Sequence, residues 1–158
     1  MRSGTIVISY DGTRASEHAL REAAGLLGPR PALIVVVYKA GLAFELVELP
    51  ASSIGLPPAP LDIRTALEVD QNIYEGAQRA AEHAAGLARM LGMEAEGLVV
   101  AEDPEISVAK TLLRLARESD AGALVVGSHR HGPILGSVSR EVVRDATCPV
   151  LVVREPPD

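Results

Sequence analysis

Two short segments hold the residue types most suited to chemistry. The first, Ser9–Tyr10–Asp11–Gly12–Thr13, follows an apolar β-branched run and leads into a helical pattern. The second runs from Val126 through Gly127–Ser128–His129–Arg130–His131–Gly132–Pro133–Ile134–Leu135 to Gly136–Ser137, and it also enters a helical pattern. Glycines let a backbone come close to a ligand or take a positive φ. A helix N-terminus beside Ser137 offers N–H groups, a hydroxyl and a favourable dipole end to an anion. A carboxylate such as Asp11 can accept hydrogen bonds from a base or a ribose, as acidic residues do in dinucleotide sites. The turns thus put Asp11, Gly127, Gly136 and Ser137 forward as candidate site residues, with Ser128 and Arg130 beside them in the second turn, and both features suit a phosphate-bearing ligand. Each has a structural reading as well. Glycine-rich turns end many strands because the chain must reverse there, and an Asp after a strand often forms a turn or caps the next helix.

Other chemistries find no support. His129 and His131 lie two residues apart with no third ligand nearby in sequence, so they read as solvated or as extra phosphate donors rather than as a metal site. His18 and His83 sit among charged neighbours on helical patterns and read as surface residues. There is no Gly-Lys-Ser/Thr ending of a phosphate-binding P-loop. A nucleophile elbow needs glycine two residues after the serine, and Arg130 stands there after Ser128. The single cysteine, Cys148, excludes an intrachain disulfide and reads as a buried structural thiol. With no acid–base pair, nucleophile triad or metal cluster, the chain reads as a binding protein rather than an enzyme.

The elements that must position these turns follow from apolar periodicity. Thr5–Ser9, Ala32–Tyr38, Ala123–Val126 and Pro149–Val153 are near-continuous apolar runs, with a weaker one at Glu94–Ala101. Such runs, without alternation, indicate strands covered on both faces of a parallel sheet. Between them lie helical patterns over Arg14–Leu27, with Ala15, Ala19, Ala23 and Leu26 on one face, and over Asp70–Leu91, Glu105–Arg117 and Ser137–Ala146. Asp103 before Pro104 reads as an N-cap with proline at the first helical position, and Gly28 and Gly92 stand where helices should end. The alternation of strand and helix predicts a doubly wound α/β domain with right-handed crossovers. Ligands of such sheets bind at the carboxyl ends of the strands where strand order reverses.

Residues 1–158 make one domain. The prolines of Lys39–Asp62 mark a long functional or mobile loop, and residues 155–158 read as a flexible tail. With one Phe and no Trp, the core must be aliphatic. A formal charge of −6, with basic residues scattered among acids, argues against a nucleic-acid partner. No apolar run approaches the ~20 residues that span a bilayer, and the apolar stretch before Asp11 is too short for a signal peptide. The expectation is a cytoplasmic protein with no membrane contact.

The same residues carry a family resemblance. Val7–Ile8–Ser9–Tyr10–Asp11–Gly12–Thr13 before an Ala-rich helix resembles the opening of universal stress proteins. So do Asp103–Pro104, Leu124–Val125–Val126–Gly127–Ser128, and the stretch from Leu135–Gly136–Ser137–Val138–Ser139 through Cys148–Pro149–Val150–Leu151–Val152–Val153. The resemblance implies a five-stranded parallel sheet of order 3-2-1-4-5, Rossmann-like and akin to adenine nucleotide alpha hydrolases. It implies Asp11 at the adenosine end and the Gly127–Ser137 loop around phosphates, with ATP or another adenine nucleotide as ligand, with or without Mg²⁺. It also implies a homodimer joined through the last strand, Pro149–Val153, whose sheet edge invites pairing. The loop departs from the family spacing of Gly, two residues, Gly, nine residues, Gly-Ser/Thr. Arg130 replaces the middle glycine, and five residues separate it from Gly136. The alternatives are a scaffold of the same fold that binds protein partners without nucleotide, and a weak nucleotide hydrolase or transferase.

Overall fold

A computed structural model describes residues 4–41, 63–129 and 135–156. Most of the Pro-rich segment, together with Arg130, His131 and the last two residues, lies outside them. Five strands form one parallel sheet: β1 (Ile6–Ser9), β2 (Pro31–Tyr38), β3 (Glu94–Ala101), β4 (Ala123–Ser128) and β5 (Val150–Arg154). Four helices are described between them: α1 (Arg14–Leu27), α2 (Ile63–Met90), α3 (Val108–Glu118) and α4 (Ser137–Asp145). The sheet order is β3-β2-β1-β4-β5, as the resemblance implied. β1 pairs with β2 through Ile6↔Ala32 to Ser9↔Val35, and with β4 through Ile6↔Ala123 to Ile8↔Val125. The chain moves outward to one side of β1 and then returns to the other, so the switch point lies between β1 and β4.

The near-continuous apolar runs are explained by a core on each face. Side chains alternate across a strand. Ile6, Ile8, Ile34 and Val125 thus face α1 and α2 and pack on Ala19, Leu20, Ala23, Ala84 and Ala88. Val7, Val35, Leu124 and Val126 face α3 and α4 and pack on Ala109, Leu112, Ala116 and Val142. Burying each large aliphatic side chain contributes about 1.5–3 kcal/mol. Small residues let helices approach closely. A Cβ on Gly97 would stand 2.9 Å from the Ala81 carbonyl oxygen of α2, and one on Gly127 would stand 2.8 Å from that of Ala15 in α1. Gly28 and Gly92 end their helices with φ of 75° and 95°, as glycine permits.

The structure corrects three sequence readings. Asp103–Pro104 does not start a helix. Asp103 Oδ1 instead accepts from the Glu105 N–H at 2.9 Å in a local turn. Ser107 is the cap, its Oγ accepting from the Lys110 N–H at 3.1 Å and donating to Glu141 of α4 at 2.9 Å. The second helical pattern begins at Ile63, before Asp70. On α1, Leu26 is 66 % exposed, and Leu20 and Ala24 are buried instead. Four-residue steps carry the buried stripe from Ala15, Ala19 and Ala23 toward Leu27, away from position 26. His83 is exposed and His18 half-buried. Cys148 is half-buried against the α3–α4 core, and burial pushes its thiol pKa up, which suits a structural role.

Candidate functional site

At the carboxyl end of β1 the chain turns into α1 through a closed hydrogen-bond network. Thr13 caps the helix, its Oγ1 accepting from the Ser16 N–H at 3.2 Å. Its own N–H donates to Asp11 Oδ1 at 3.0 Å, and its hydroxyl donates to the same oxygen at 2.5 Å. Ser16 Oγ accepts from the Asp11 N–H at 3.3 Å. Gly12 sits at φ 82°, which lets the turn tighten. Asp11 is thereby held in a fixed orientation with Oδ2 facing the neighbouring strand. Burial alone would raise its carboxyl pKa. The Thr13 and Ser16 hydrogen bonds and the nearby His129 outweigh that, holding it below the ordinary value.

At the adjacent strand end, Gly127 and Ser128 close β4, and His129 leaves the sheet beside Asp11. His129 Nε2 stands 3.6 Å from Asp11 Oδ2. The Ser128 side chain is 3 % exposed, and its Oγ is the one buried side-chain polar atom among the described residues without a hydrogen-bond partner. Buried hydroxyls are usually satisfied, so an orphan one facing a crevice points to something that fills it. Gly127 lines the same crevice, but its lack of a side chain is demanded by α1. A Cβ there would strike backbone of Ala15 and Ser16. Gly136 differs, since a Cβ there would meet nothing within 4 Å.

Gly136 is the N-cap of α4 and supplies no side-chain cap. The first N–H bonded within the helix is that of Arg140, to the Gly136 carbonyl at 3.0 Å. The N–H groups of Ser137, Val138 and Ser139 therefore have no acceptor in their own helix. This positive helix end opens on a crevice of about 370 Å³, a volume typical of small-molecule sites. Asp11, His129 and several hydroxyls line it, with Val37, Val108, Val126 and Val138 as its apolar wall.

Of the residues singled out in the sequence, Asp11, Gly127, Ser128, Gly136 and Ser137 converge on this one crevice. Arg130 lies outside the described residues. Sequence reasoning missed Ser16, Ser139 and the valines of the wall, which come from elements far apart in the chain. It left His129 open, although its position just past the strand next to β1 could have flagged a contact with Asp11. Among the described residues no group of three His, Cys, Asp or Glu could hold a metal ion, and no helix is long and apolar enough to cross a membrane. The site offers a carboxylate acceptor on one lip, an anion-receptive helix end on the other and an apolar wall between.

Comparison with known proteins agrees with this architecture. Residues 105–154 match the Universal stress protein family. The universal stress protein UspA of Lactobacillus plantarum has the same fold, with a TM-score of 0.67 at 16% identity over 98% of this chain and 99% of that one. The universal stress protein of Archaeoglobus fulgidus in complex with dAMP aligns over 97% of this chain and 99% of its own, with a TM-score of 0.59 and 21% identity. A universal stress protein family protein of Arabidopsis thaliana with AMP bound covers 98% and 94%, with a TM-score of 0.64 and 15% identity. No curated protein matches the sequence.

Proposed function

We propose that this chain works as a universal stress protein that binds an adenine nucleotide in the crevice between β1 and β4, as a regulatory binding protein rather than a catalyst. The observation that carries this reading is the buried, unpartnered Ser128 hydroxyl beside the α4 N-terminus, which lacks a side-chain cap, with Asp11 fixed on the facing lip. A nucleotide complements both lips. Its phosphate meets N–H groups and the positive end of the helix dipole. Its ribose hydroxyls or exocyclic amine donate to Asp11, and its base packs on the valine wall. Relatives of the same fold that hold dAMP and AMP support an adenine nucleotide of this kind. ATP with Mg²⁺ is the extended form of the same ligand, with Arg130 as an added phosphate donor. The protein acts as a cytoplasmic homodimer joined through the edge strand β5, where Val150, Leu151 and Val152 stay half-exposed.

Calorimetric titration with ATP, AMP and cyclic AMP, with and without Mg²⁺, tests the ligand. Saturable binding that is lost in Asp11→Ala and Ser137→Ala is the expected result. Absence of heat with all three nucleotides sinks this reading and favours a scaffold that works through protein partners. Turnover that vanishes in the same variants would point to a hydrolase or transferase instead. Sedimentation across a concentration series tests the dimer.

A further inference from the structure

The two oxygens of Asp11 are not equivalent. Oδ1 is occupied by both Thr13 donors, so Oδ2 is the oxygen left for an incoming ligand. That oxygen is the one His129 faces, at 3.6 Å, from across the junction of β1 and β4. The distance is too long for a direct hydrogen bond but short enough for an ion pair once the imidazole is protonated. Both side chains are about half exposed and both line the crevice, so the pair stands where the crevice meets solvent. We propose that Asp11 and His129 form a proton-dependent strap over the crevice, closed when His129 carries its proton, which a ligand reaching for Asp11 must open.

The charged surroundings leave this pairing in place. On α1, Arg14 pairs with Glu155 at 3.6 Å, and Glu17 acts on the phenol of Tyr10. Just past β5, the Glu155 N–H donates to the Ser128 carbonyl at 3.1 Å, and Arg154 stands opposite Ser128 in the sheet. The Glu141 carboxylate of α4 accepts from Ser107. Among the described residues His129 is the charge that draws the Asp11 carboxyl down. Histidine as a residue type changes charge between about pH 5 and 8, and only the charged ring can pair with Oδ2. Competition then makes binding of an Asp11-directed donor weaker in acid, by up to about fivefold for a half-exposed pair.

The strap itself needs no nucleotide, and only its ligand arm rests on the function proposed above. Carboxyl ¹³C NMR of Asp11 tests the strap directly, since its titration midpoint should rise in His129→Gln. An unchanged midpoint overturns the proposal. Adenosine is the probe for competition, because it carries no phosphate to titrate in this range. It should bind the wild type up to about fivefold more tightly at pH 8 than at pH 5.5, and His129→Gln equally tightly at both. Equal wild-type affinities, or weaker binding by His129→Gln, overturn the proposal by showing His129 to be a bystander or a ligand contact. If adenosine binds neither protein, the nucleotide reading loses its nucleoside end, and the carboxyl midpoint alone decides the strap.

Discussion

Adding one methyl group at Gly127 tests whether this glycine serves packing or ligand. In Gly127→Ala the new Cβ would lie 2.8 Å from the Ala15 carbonyl oxygen, 3.0 Å from its carbon and 3.3 Å from the Ser16 nitrogen. All three are backbone atoms, so no side chain can swing aside. Restoring ordinary contact needs α1 to move away from β4 by about 0.6 Å. The helix is anchored by Ala19, Leu20 and Ala23, each fully buried, so the movement strains a packed layer. Overpacking of this kind costs about 1–3 kcal/mol. Urea unfolding should show a lower midpoint at unchanged slope, with Tm reduced by about 2–4 °C for each kcal/mol. Gly136→Ala is the control, because its Cβ meets nothing and its φ is −65°. It should lose less than about 1 kcal/mol, the scale of a changed N-cap. Wild-type stability in Gly127→Ala would refute the packing argument and return that glycine to the ligand.

Three further outcomes are expected. Ser128→Ala should leave the free protein as stable as wild type or up to about 1 kcal/mol more stable, since its hydroxyl has no partner to lose, while nucleotide affinity falls in calorimetry. Ser107→Ala removes both the α3 cap and the link to Glu141 and should cost about 1–2 kcal/mol in urea unfolding. For Asp11→Asn, the native carboxyl titrates below its ordinary value, so between that native midpoint and the unfolded value of about 4 the unfolded chain binds more protons there, and the stability this carboxylate contributes is fully present above that window and falls as the pH drops through it. The wild type should exceed Asp11→Asn by less than about 1 kcal/mol at neutral pH, given its exposure. That margin should vanish as the pH falls through the native midpoint, and a margin that persists in strong acid would refute the assignment.

What could be read in the chain alone was local. Ile6–Val7–Ile8 and Leu124–Val125–Val126 declare buried strands because both faces of a central parallel strand need apolar side chains. Asp11 and Ser137 could be picked out because turn and helix-start chemistry depends on near neighbours. The start of α3 was misread because Asp103–Pro104 and Ser107 both carry start signals, and only the contact with Glu141, 34 residues away, favours the serine. Leu26 was misplaced because a helix's buried face is set by the sheet it meets. The meaning of Gly127 depends on the Ala15 carbonyl, and the orphan state of Ser128 on what surrounds its hydroxyl. Neither is written in the residues beside them. Composition and periodicity thus determined the layers and the strand ends at which sheets of this kind receive their ligands. The pairing of β1 with β4 decided that Asp11 meets His129, because strand adjacency follows from long-range packing that no short window of sequence contains.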